Sequence, residues 1–309
     1  MRCEINYSII IPHKNIPELL RRCLNSIPRR KDIQIVIVDD NSDSDKVNFD
    51  KFPGLGDLFT EVVFTKEGKG AGYARNVGLT RATGKWVLFA DADDYFTDGL
   101  LQCLDRYCKS EYDLIYFGIN GINADTKREN SRGRKYGKLM YNAIYNKKYD
   151  LYKYKAYVPW GKIIKRSLIS ENNIKYDETI VANDMMFSKK TAYYAKEIFF
   201  DEQKIYTLES RKGSLTGLQS SEAKFDRFFV YVRVNSFLKS IKKEKYKTNI
   251  TVLFLRLINI RNMAYFCKGT ALLKENNINL LLEISVFCLS VPYRISVKIW
   301  NKVMDRVCE

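Results

Sequence analysis

The stretch Trp86-Val-Leu-Phe-Ala-Asp-Ala-Asp-Asp94 decides the fold, because a short apolar run ends there in a cluster of acids. The run before Asp91 predicts a buried strand. The three carboxylates that follow repel each other and need a compensating cation, and Mg²⁺ and Mn²⁺ bind carboxylate oxygens together with phosphate oxygens. We therefore predict that Asp91 and Asp93 hold a divalent metal. An acid-rich helix N-terminus is the alternative, and for Asp94 it is a sufficient explanation.

The same succession of an apolar strand and polar residues appears twice upstream. Tyr7–Ile11 predicts a strand that ends at Pro12, and Ile33–Val38 predicts a strand that runs into Asp39-Asp40-Asn41-Ser42. Shorter strands are predicted at 61–65, 86–90 and 113–118, and helices at 19–27, 71–82 and 100–108. This alternation indicates a mostly parallel sheet covered by helices. Ligands of such sheets bind beyond the carboxyl ends of the strands, so the polar clusters are expected to share one edge.

The later part of the chain carries weaker signals. Residues 121–155 are polar, basic and rich in tyrosine, and we interpret them as a long loop. Order is expected to resume at 160–169, and a helix is predicted from about Asp184 to Lys196. Beyond residue 220 the chain is predicted to be helical.

Three other features are candidates for chemistry. Asp40 stands where a carboxylate can accept from the imide N–H of uracil, although Asp-Asn-Ser is also strong turn chemistry. Gly68–Gly78 opens a helix whose N-terminus favours anions, but it fits neither a Walker loop nor a dinucleotide fingerprint. Asp184 is either a general base for an acceptor hydroxyl or an N-cap, and local sequence alone favours the cap. His13 is the only histidine, which excludes histidine-rich metal sites.

Together these segments resemble family 2 glycosyltransferases of the GT-A fold over residues 5–217. The segments that carry the resemblance are Ser8-Ile-Ile-Ile-Pro-His-Lys-Asn15, Ile35-Val-Ile-Val-Asp-Asp-Asn-Ser42, Ala74-Arg-Asn-Val-Gly78, Trp86-Val-Leu-Phe-Ala-Asp-Ala-Asp-Asp94, Trp160-Gly-Lys-Ile-Ile-Lys165, Asn183-Asp-Met-Met-Phe187 and Arg211-Lys-Gly-Ser-Leu-Thr216. Each segment is short, but their order and spacing make the set specific.

The resemblance implies a Rossmann-like mixed sheet flanked by helices in a catalytic domain over residues 1–220. Residues 1–120 would form its nucleotide-binding half and 121–220 its acceptor-side half, with 221–309 as a helical, basic extension. The implied reaction is inverting and non-processive. It moves a sugar from a nucleotide-sugar donor, expected to be a UDP-sugar, to a glycan or lipid-linked acceptor hydroxyl. Mn²⁺ or Mg²⁺ would assist, and surface or capsular polysaccharide would be the product.

The resemblance also assigns roles on the donor side. Pro12 and Asp40 would line the nucleoside pocket, with Asp40 facing the base. Arg75 and Asn76 would support the donor site.

The metal and the base follow from two further motifs. Asp91 and Asp93 would form the family's Asp-x-Asp element, which binds ribose, metal and diphosphate. Asp184 matches the aspartate of the family's acidic pair and would be the catalytic base.

Two positions depart from the family pattern. Lys14 stands where the family usually has an aromatic residue that stacks on the nucleobase, which leaves stacking to His13 or to nothing. Asn183 replaces the glutamate of the acidic pair. The Gln-x-x-Arg-Trp motif of processive synthases does not occur in the sequence.

The charge of the chain leaves other hypotheses open. The net charge is +16, and residues 121–170 carry 13 Lys and Arg against three Asp and Glu. A basic surface can serve anionic lipids, anionic glycans or nucleic acid. We expect no nucleic-acid partner, because the acidic strand ends would repel phosphate without a metal. A sugar-phosphate nucleotidyltransferase is the second alternative, although Pro12-His13-Lys14-Asn15 lacks its glycine-rich signature. A non-catalytic family member is the third.

The sequence predicts a cytoplasmic protein. It shows no signal peptide, its longest apolar stretch is ten residues at 284–293, and its seven cysteines are scattered. Basic residues recur every fourth position near the C-terminus, at Arg294, Lys298, Lys302 and Arg306. This stripe predicts a helix over 284–309 that either contacts an anionic inner-membrane surface peripherally or packs on the body of the protein.

Overall fold

The structure is a computed structural model that describes residues 4–211, 218–260 and 262–288. The chain separates into two compact units, Met1–Leu218 and Gln219–Glu309. Among the described residues, the first unit carries an eight-stranded sheet with helices around it, and the second is built from helices.

The sheet is formed by β1 (Tyr7–His13), β2 (Ile33–Asp40), β3 (Thr60–Thr65), β4 (Trp86–Phe89), β5 (Tyr95–Phe96), β6 (Leu114–Asn123), β7 (Lys162–Lys165) and β8 (Ile198–Ser210). Across the sheet the order is β3-β2-β1-β4-β7-β6-β8-β5. The first four strands in that order are parallel, and β6 is parallel to β8. In contrast, β7 is antiparallel to both its neighbours and β5 is antiparallel to β8. The sheet is therefore mixed, as the family resemblance implied. Six of its eight strands run in the same direction and only β7 and β5 run against them, so it is also mostly parallel, as the strand–helix alternation predicted.

The helices of the first unit are α1 (Pro17–Asn25), α2 (Ala71–Arg81), α3 (Gly99–Tyr107), α4 (Ser131–Ile144), α5 (Tyr149–Lys155), α6 (Arg166–Glu171) and α7 (Met185–Tyr194). All residues of β1 are buried, as expected for an apolar run in the middle of a sheet. The small residues of α2 let it approach β1 closely: Ala74 is fully buried, and a Cβ on Gly78 would lie 2.4 Å from Cγ2 of Ile10.

Residues 121–155 are not a long loop, and this sequence-based prediction was wrong. Strand β6 extends to Asn123, and α4 and α5 fill most of the rest. Asn130 caps α4, because its side chain accepts a hydrogen bond from the backbone N–H of Gly133 at 2.8 Å. Buried Tyr136, Met140 and Ala143 line one face of α4. The helical pattern was hidden because its apolar positions include tyrosine.

Among its described residues, the second unit contains α8 (Ser221–Ser240), α9 (Thr251–Ile258) and α10 (Met263–Glu275), so this part of the chain is helical as predicted. Its core is built around Phe228, Leu257 and Leu272. No helix in the described part of the chain is long and apolar enough to cross a membrane. The predicted basic stripe lies beyond residue 288, outside the described residues.

Candidate active site

The parallel strands β1, β2 and β4 end at the same edge of the sheet, and α2 begins there. Pro12 lies in β1 beyond Ile10, the last residue that β1 pairs with β4, and it is buried. His13 pairs in register with Asp39 at the end of β2. The polar clusters predicted to share one edge therefore do so.

A buried hydrogen-bonded network joins the ends of β1 and β2. His13 Nε2 accepts from the backbone N–H of Ile16 at 3.1 Å, so the ring proton is on Nδ1, which donates to Asp39 at 2.7 Å. Burial would raise the pKa of Asp39, but hydrogen bonds from His13 and Ser42 outweigh it and hold the pKa below its usual value. The His13 ring is 2% exposed and meets Phe52 edge-on. His13 therefore offers no face to a nucleobase.

Asp40 connects the end of β2 to the start of α2. Its carboxylate accepts from the backbone N–H groups of Lys69 at 3.1 Å and Gly70 at 2.6 Å, and it is 2% exposed. Gly70 has φ 91°, a conformation that favours glycine. The Thr65 hydroxyl also donates to Oδ1 of Asp40 at 3.4 Å, whereas Oδ2 accepts only from Gly70 among the described bonds. Oδ2 therefore retains a lone pair that could accept from a base N–H.

Arg75 is the central residue of the site and is 5% exposed. Its two terminal nitrogens donate in different directions, to Asp91 at 2.6 Å and to the side-chain oxygen of Asn183 at 2.9 Å. Its guanidinium lies 5.2 Å from the centroid of Tyr176. Burial lowers the pKa of Arg75, but Asp91 and its other neighbours raise it more, so the side chain stays charged. Arg75 thus joins the predicted metal carboxylate to the segment that carries Asp184.

Asn76 fixes the same segment from the next position of α2. Its side chain accepts from the backbone N–H of Tyr176 at 2.8 Å and donates to the carbonyl of Tyr176 at 3.0 Å. Asn183, which replaces an acid in the family pattern, accepts from Arg75 and donates to the Thr179 carbonyl at 3.2 Å. These bonds position the backbone just before α7.

Asp184 occupies the N-cap position of α7, yet its side chain makes no capping hydrogen bond. It is half-buried. Burial raises the pKa of Asp184 to about 6, with Arg75 opposing and Asp91 reinforcing the shift. A carboxylate of this pKa is mostly ionised at neutral pH and accepts protons well, which suits a general base. The structure therefore removes the capping explanation that local sequence favoured.

The three acids after β4 have different environments. Asp94 is 1% exposed and accepts from the Tyr206 hydroxyl and the Glu209 backbone N–H, each at 2.9 Å. Burial, Asp91 and Asp93 together raise the pKa of Asp94. Asp94 is thus a structural anchor for β8 and not a helix N-terminal acid. The side chains of Asp91 and Asp93 are 30% and 27% exposed, so they are the two acids that a ligand can reach.

Asp91 and Asp93 are the two residues whose chemistry would suit a divalent metal bound together with a nucleotide. Arg75 pairs with Asp91, and Arg211 donates to Asp93 at 3.1 Å. Burial and Asp91 raise the pKa of Asp93 against the effect of Arg211, so an added cation would stabilise the ionised form of Asp93. The described residues contain no group of three or more ligating side chains for a metal. Two carboxylates are nevertheless what Mg²⁺ uses when substrate phosphates complete its shell.

Sequence reasoning missed two residues that organise the site. Tyr206 lies on β8, a strand not predicted, and its hydroxyl oxygen accepts from the Asp91 backbone N–H at 2.9 Å. Lys162 is 2% exposed, donates to Ser188 at 3.1 Å, and burial lowers its pKa to about 7. Lysine in the Trp160 motif was the only sequence signal for it. Arg211 is described, but the rest of its motif, residues 212–216, lies outside the described residues.

Gly72 of α2 provides a test of how closely α2 holds this segment. A Cβ there would lie 2.0 Å from the Asp177 carbonyl oxygen and 3.0 Å from Cβ of Asn183. We expect Gly72→Ala to destabilise the fold by about 1–3 kcal/mol through overpacking. Gly137→Ala in α4 is the matched control, because nothing lies within 4 Å of its Cβ position. Gly137→Ala should raise the free energy of unfolding by up to about 1 kcal/mol, because alanine favours the helix more than glycine does. Chemical denaturation measures both, and equal effects would contradict the contact.

Comparison with known proteins gives consistent results. The family model described as glycosyl transferase family 2 matches residues 8–173. The chain is 30% identical over 200 residues to the poly(ribitol-phosphate) beta-glucosyltransferase of Bacillus spizizenii, covering 62% of this chain and 30% of that protein. It resembles Staphylococcus aureus TarS 1–349 in complex with UDP-GlcNAc, with a TM-score of 0.61, 22% identity and coverage of 82% and 71% of the two chains. It also resembles the Pyrobaculum calidifontis mannosyltransferase PcManGT in complex with GDP-Man and Mn²⁺, with a TM-score of 0.55, 17% identity and coverage of 97% and 85%.

The matches differ in what they show and in how much of each protein they cover. The two structural neighbours are distant in sequence and show the fold alone, and they confirm the predicted GT-A architecture. The chain spans between 30% and 47% of the length of the first curated relatives it matches. Asp184 and Arg211 lie beyond the residues matched by the family model, so their roles depend on the geometry of the site.

Proposed function

The chain belongs to glycosyl transferase family 2, and we propose that it transfers a sugar from a nucleotide sugar, a UDP-sugar, to an acceptor hydroxyl with inversion. One observation carries the proposal. Arg75 donates to Asp91 and to Asn183, and Asp91, which would face the donor phosphates, lies near enough to the carboxylate of Asp184 to raise its pKa. A general base beside an acid that would bind the metal and phosphates of the donor suits inverting glycosyl transfer.

In the proposed reaction, Asp184 accepts the proton of the acceptor hydroxyl. The acceptor oxygen then forms a bond to the anomeric carbon as the bond from that carbon to the diphosphate breaks. A divalent ion on Asp91 and Asp93 would neutralise charge on the departing diphosphate. Arg75 keeps Asp91 oriented and, through Asn183, holds Asp184 in place. Asp40 and Pro12 are assigned to the nucleoside pocket.

We assign catalysis to the first unit and an accessory role to residues 221–309. Within the first unit, the donor contacts come from residues 1–120 and the base from 121–220. The proposed acceptor is a glycan or lipid-linked glycan in surface or capsular polysaccharide synthesis. Peripheral membrane contact through 284–309 is a hypothesis that rests on the basic residues repeated every fourth position in the sequence. Only 284–288 of that range are described.

A donor panel tests this function. We expect one UDP-sugar to bind in the presence of Mn²⁺ or Mg²⁺ and to stabilise the protein against heat, with EDTA abolishing the shift. With an acceptor, nucleoside diphosphate should be released. Release of pyrophosphate from a nucleoside triphosphate and a sugar phosphate would instead identify a nucleotidyltransferase. Failure of every nucleotide sugar to bind would contradict the proposal.

A further inference from the structure

A group of cationic side chains comes from three helices of the first unit, and Asp184 acts electrostatically on one of them, Lys189. Arg132 and Lys135 come from α4, Lys155 ends α5, and Lys189 lies on α7. We call these four residues the cationic cluster. Lys135 and Lys189 lie over the ring of Tyr157, Arg132 lies over Trp160, and Lys155 acts electrostatically on Lys189. None of them has a role in the reaction described above.

Ring contacts define the geometry of the cationic cluster. The ammonium nitrogen of Lys189 lies 4.8 Å from the centroid of Tyr157, and that of Lys135 lies 5.3 Å from the same ring. The guanidinium of Arg132 lies 5.7 Å from the centroid of Trp160. Two ammonium groups, one from α4 and one from α7, therefore lie at the same aromatic ring.

Aromatic stacking connects the cationic cluster to the catalytic acids. Trp160 stacks on Tyr206 with centroids 5.4 Å apart, and the Tyr206 hydroxyl oxygen accepts from the Asp91 backbone N–H. Asp184 is close enough to act on Lys189: burial and, to a smaller extent, Lys155 lower the pKa of Lys189 to about 7, and Asp184 opposes both. The cationic cluster thus borders the place where the acceptor hydroxyl must lie.

Within the described residues, no ion pair joins a carboxylate to Arg132, Lys135 or Lys189. Lys189 is 2% exposed and donates to the Tyr154 carbonyl at 2.8 Å, whereas Lys135 is exposed. Gathering like charges around a buried ammonium is unfavourable, and it lowers the pKa of Lys189; an anion bound among these side chains would stabilise the charged form. A phosphate suits this arrangement better than a carboxylate, because its tetrahedral oxygens accept from donors in several directions.

We propose that the cationic cluster is an acceptor subsite for a phosphate group carried close to the hydroxyl that Asp184 deprotonates. The acceptor is then a polyol-phosphate or sugar-phosphate chain and not a neutral glycan. This inference rests on the proposed function, since it takes Asp184 as the base. It adds the chemical class of the acceptor and the residues that select it.

The test measures binding of a ribitol-phosphate oligomer to protein saturated with UDP and Mn²⁺, by titration calorimetry. Ribitol and a uronic-acid oligomer of equal length are the comparison ligands. We expect the phosphate oligomer to bind at least about 10-fold more tightly than either, because charge-assisted bonds to phosphate are the strong ones. Absent binding of the phosphate oligomer, or equal binding of the uronic-acid oligomer, would overturn the proposal.

Variants locate the binding to the cationic cluster. Lys135→Ala and Lys189→Met should each weaken the oligomer about 10-fold or more and leave UDP binding unchanged. Lys138→Ala, also exposed on α4, is the matched control and should bind as wild type does. Because Lys135 is exposed, its variant stays informative even if Lys189→Met does not fold. Unchanged oligomer binding by Lys135→Ala overturns the subsite. If the wild-type protein does not bind UDP, the proposed function fails and not the subsite alone.

Discussion

Replacing Asp184 with asparagine is expected to leave donor binding unchanged and to lower the rate of transfer by about 10²–10⁴-fold, the contribution typical of a general base. The change keeps the size of the side chain and removes its basicity. Because the carboxylate makes no capping hydrogen bond, α7 loses no cap and stability should change little. Donor affinity by calorimetry and single-turnover transfer, measured on the same preparation, separate binding from chemistry.

Asp98→Asn is the control for this variant. Asp98 is the exposed N-cap residue of α3, and it also makes no side-chain capping hydrogen bond. The Asp98→Asn variant should therefore transfer at the wild-type rate. The pKa of Asp184, about 6, allows a second test through the pH dependence of the reaction. The base must be ionised, so wild-type kcat/KM should fall about tenfold per pH unit below that value and level off above it. Full transfer by Asp184→Asn would remove Asp184 from the base role.

The parts of this fold that could be predicted are those encoded in contiguous sequence. Strands β1, β2 and β4 are apolar runs that need no knowledge of their neighbours, and the polar residues after them mark the binding edge. The small residues of α2 likewise revealed a face that packs closely on β1. Local pattern therefore sufficed for the donor half of the sheet.

The acceptor half could not be predicted in the same way, because its contacts are distant in sequence. Arg75 and Asn183 are bonded across 108 positions, and nothing near either residue indicates the other. Strand β8 is recognisable mainly through its pairing with β6. Whether Asp184 caps α7 depends on the rotamer that its surroundings impose, which local sequence does not encode.

Replacing Asp93 with asparagine is expected to remove the metal dependence of donor binding at little cost to the fold. Its partner Arg211 has a side chain that is 35% exposed, so water can solvate the cation left behind. We expect donor affinity in Mn²⁺ to fall at least about 100-fold, the upper end of the range for disturbing a metal site, and affinity without metal to change little.

Asp91→Asn separates the metal role from structural support. Asp91 is the counterion of Arg75, whose side chain is only 6% exposed, so this variant leaves a buried charge unpaired. Breaking such a pair costs about 3–5 kcal/mol, and we expect the low end because Asp91 is itself 30% exposed. Both variants should therefore lose metal-dependent donor binding, but only Asp91→Asn should unfold at a clearly lower denaturant concentration.

If Asp93→Asn keeps wild-type affinity in Mn²⁺, the metal does not bind at these acids. If the two variants lose equal stability, Arg75 does not depend on Asp91, and the link from the donor acids to Asp184 fails with it.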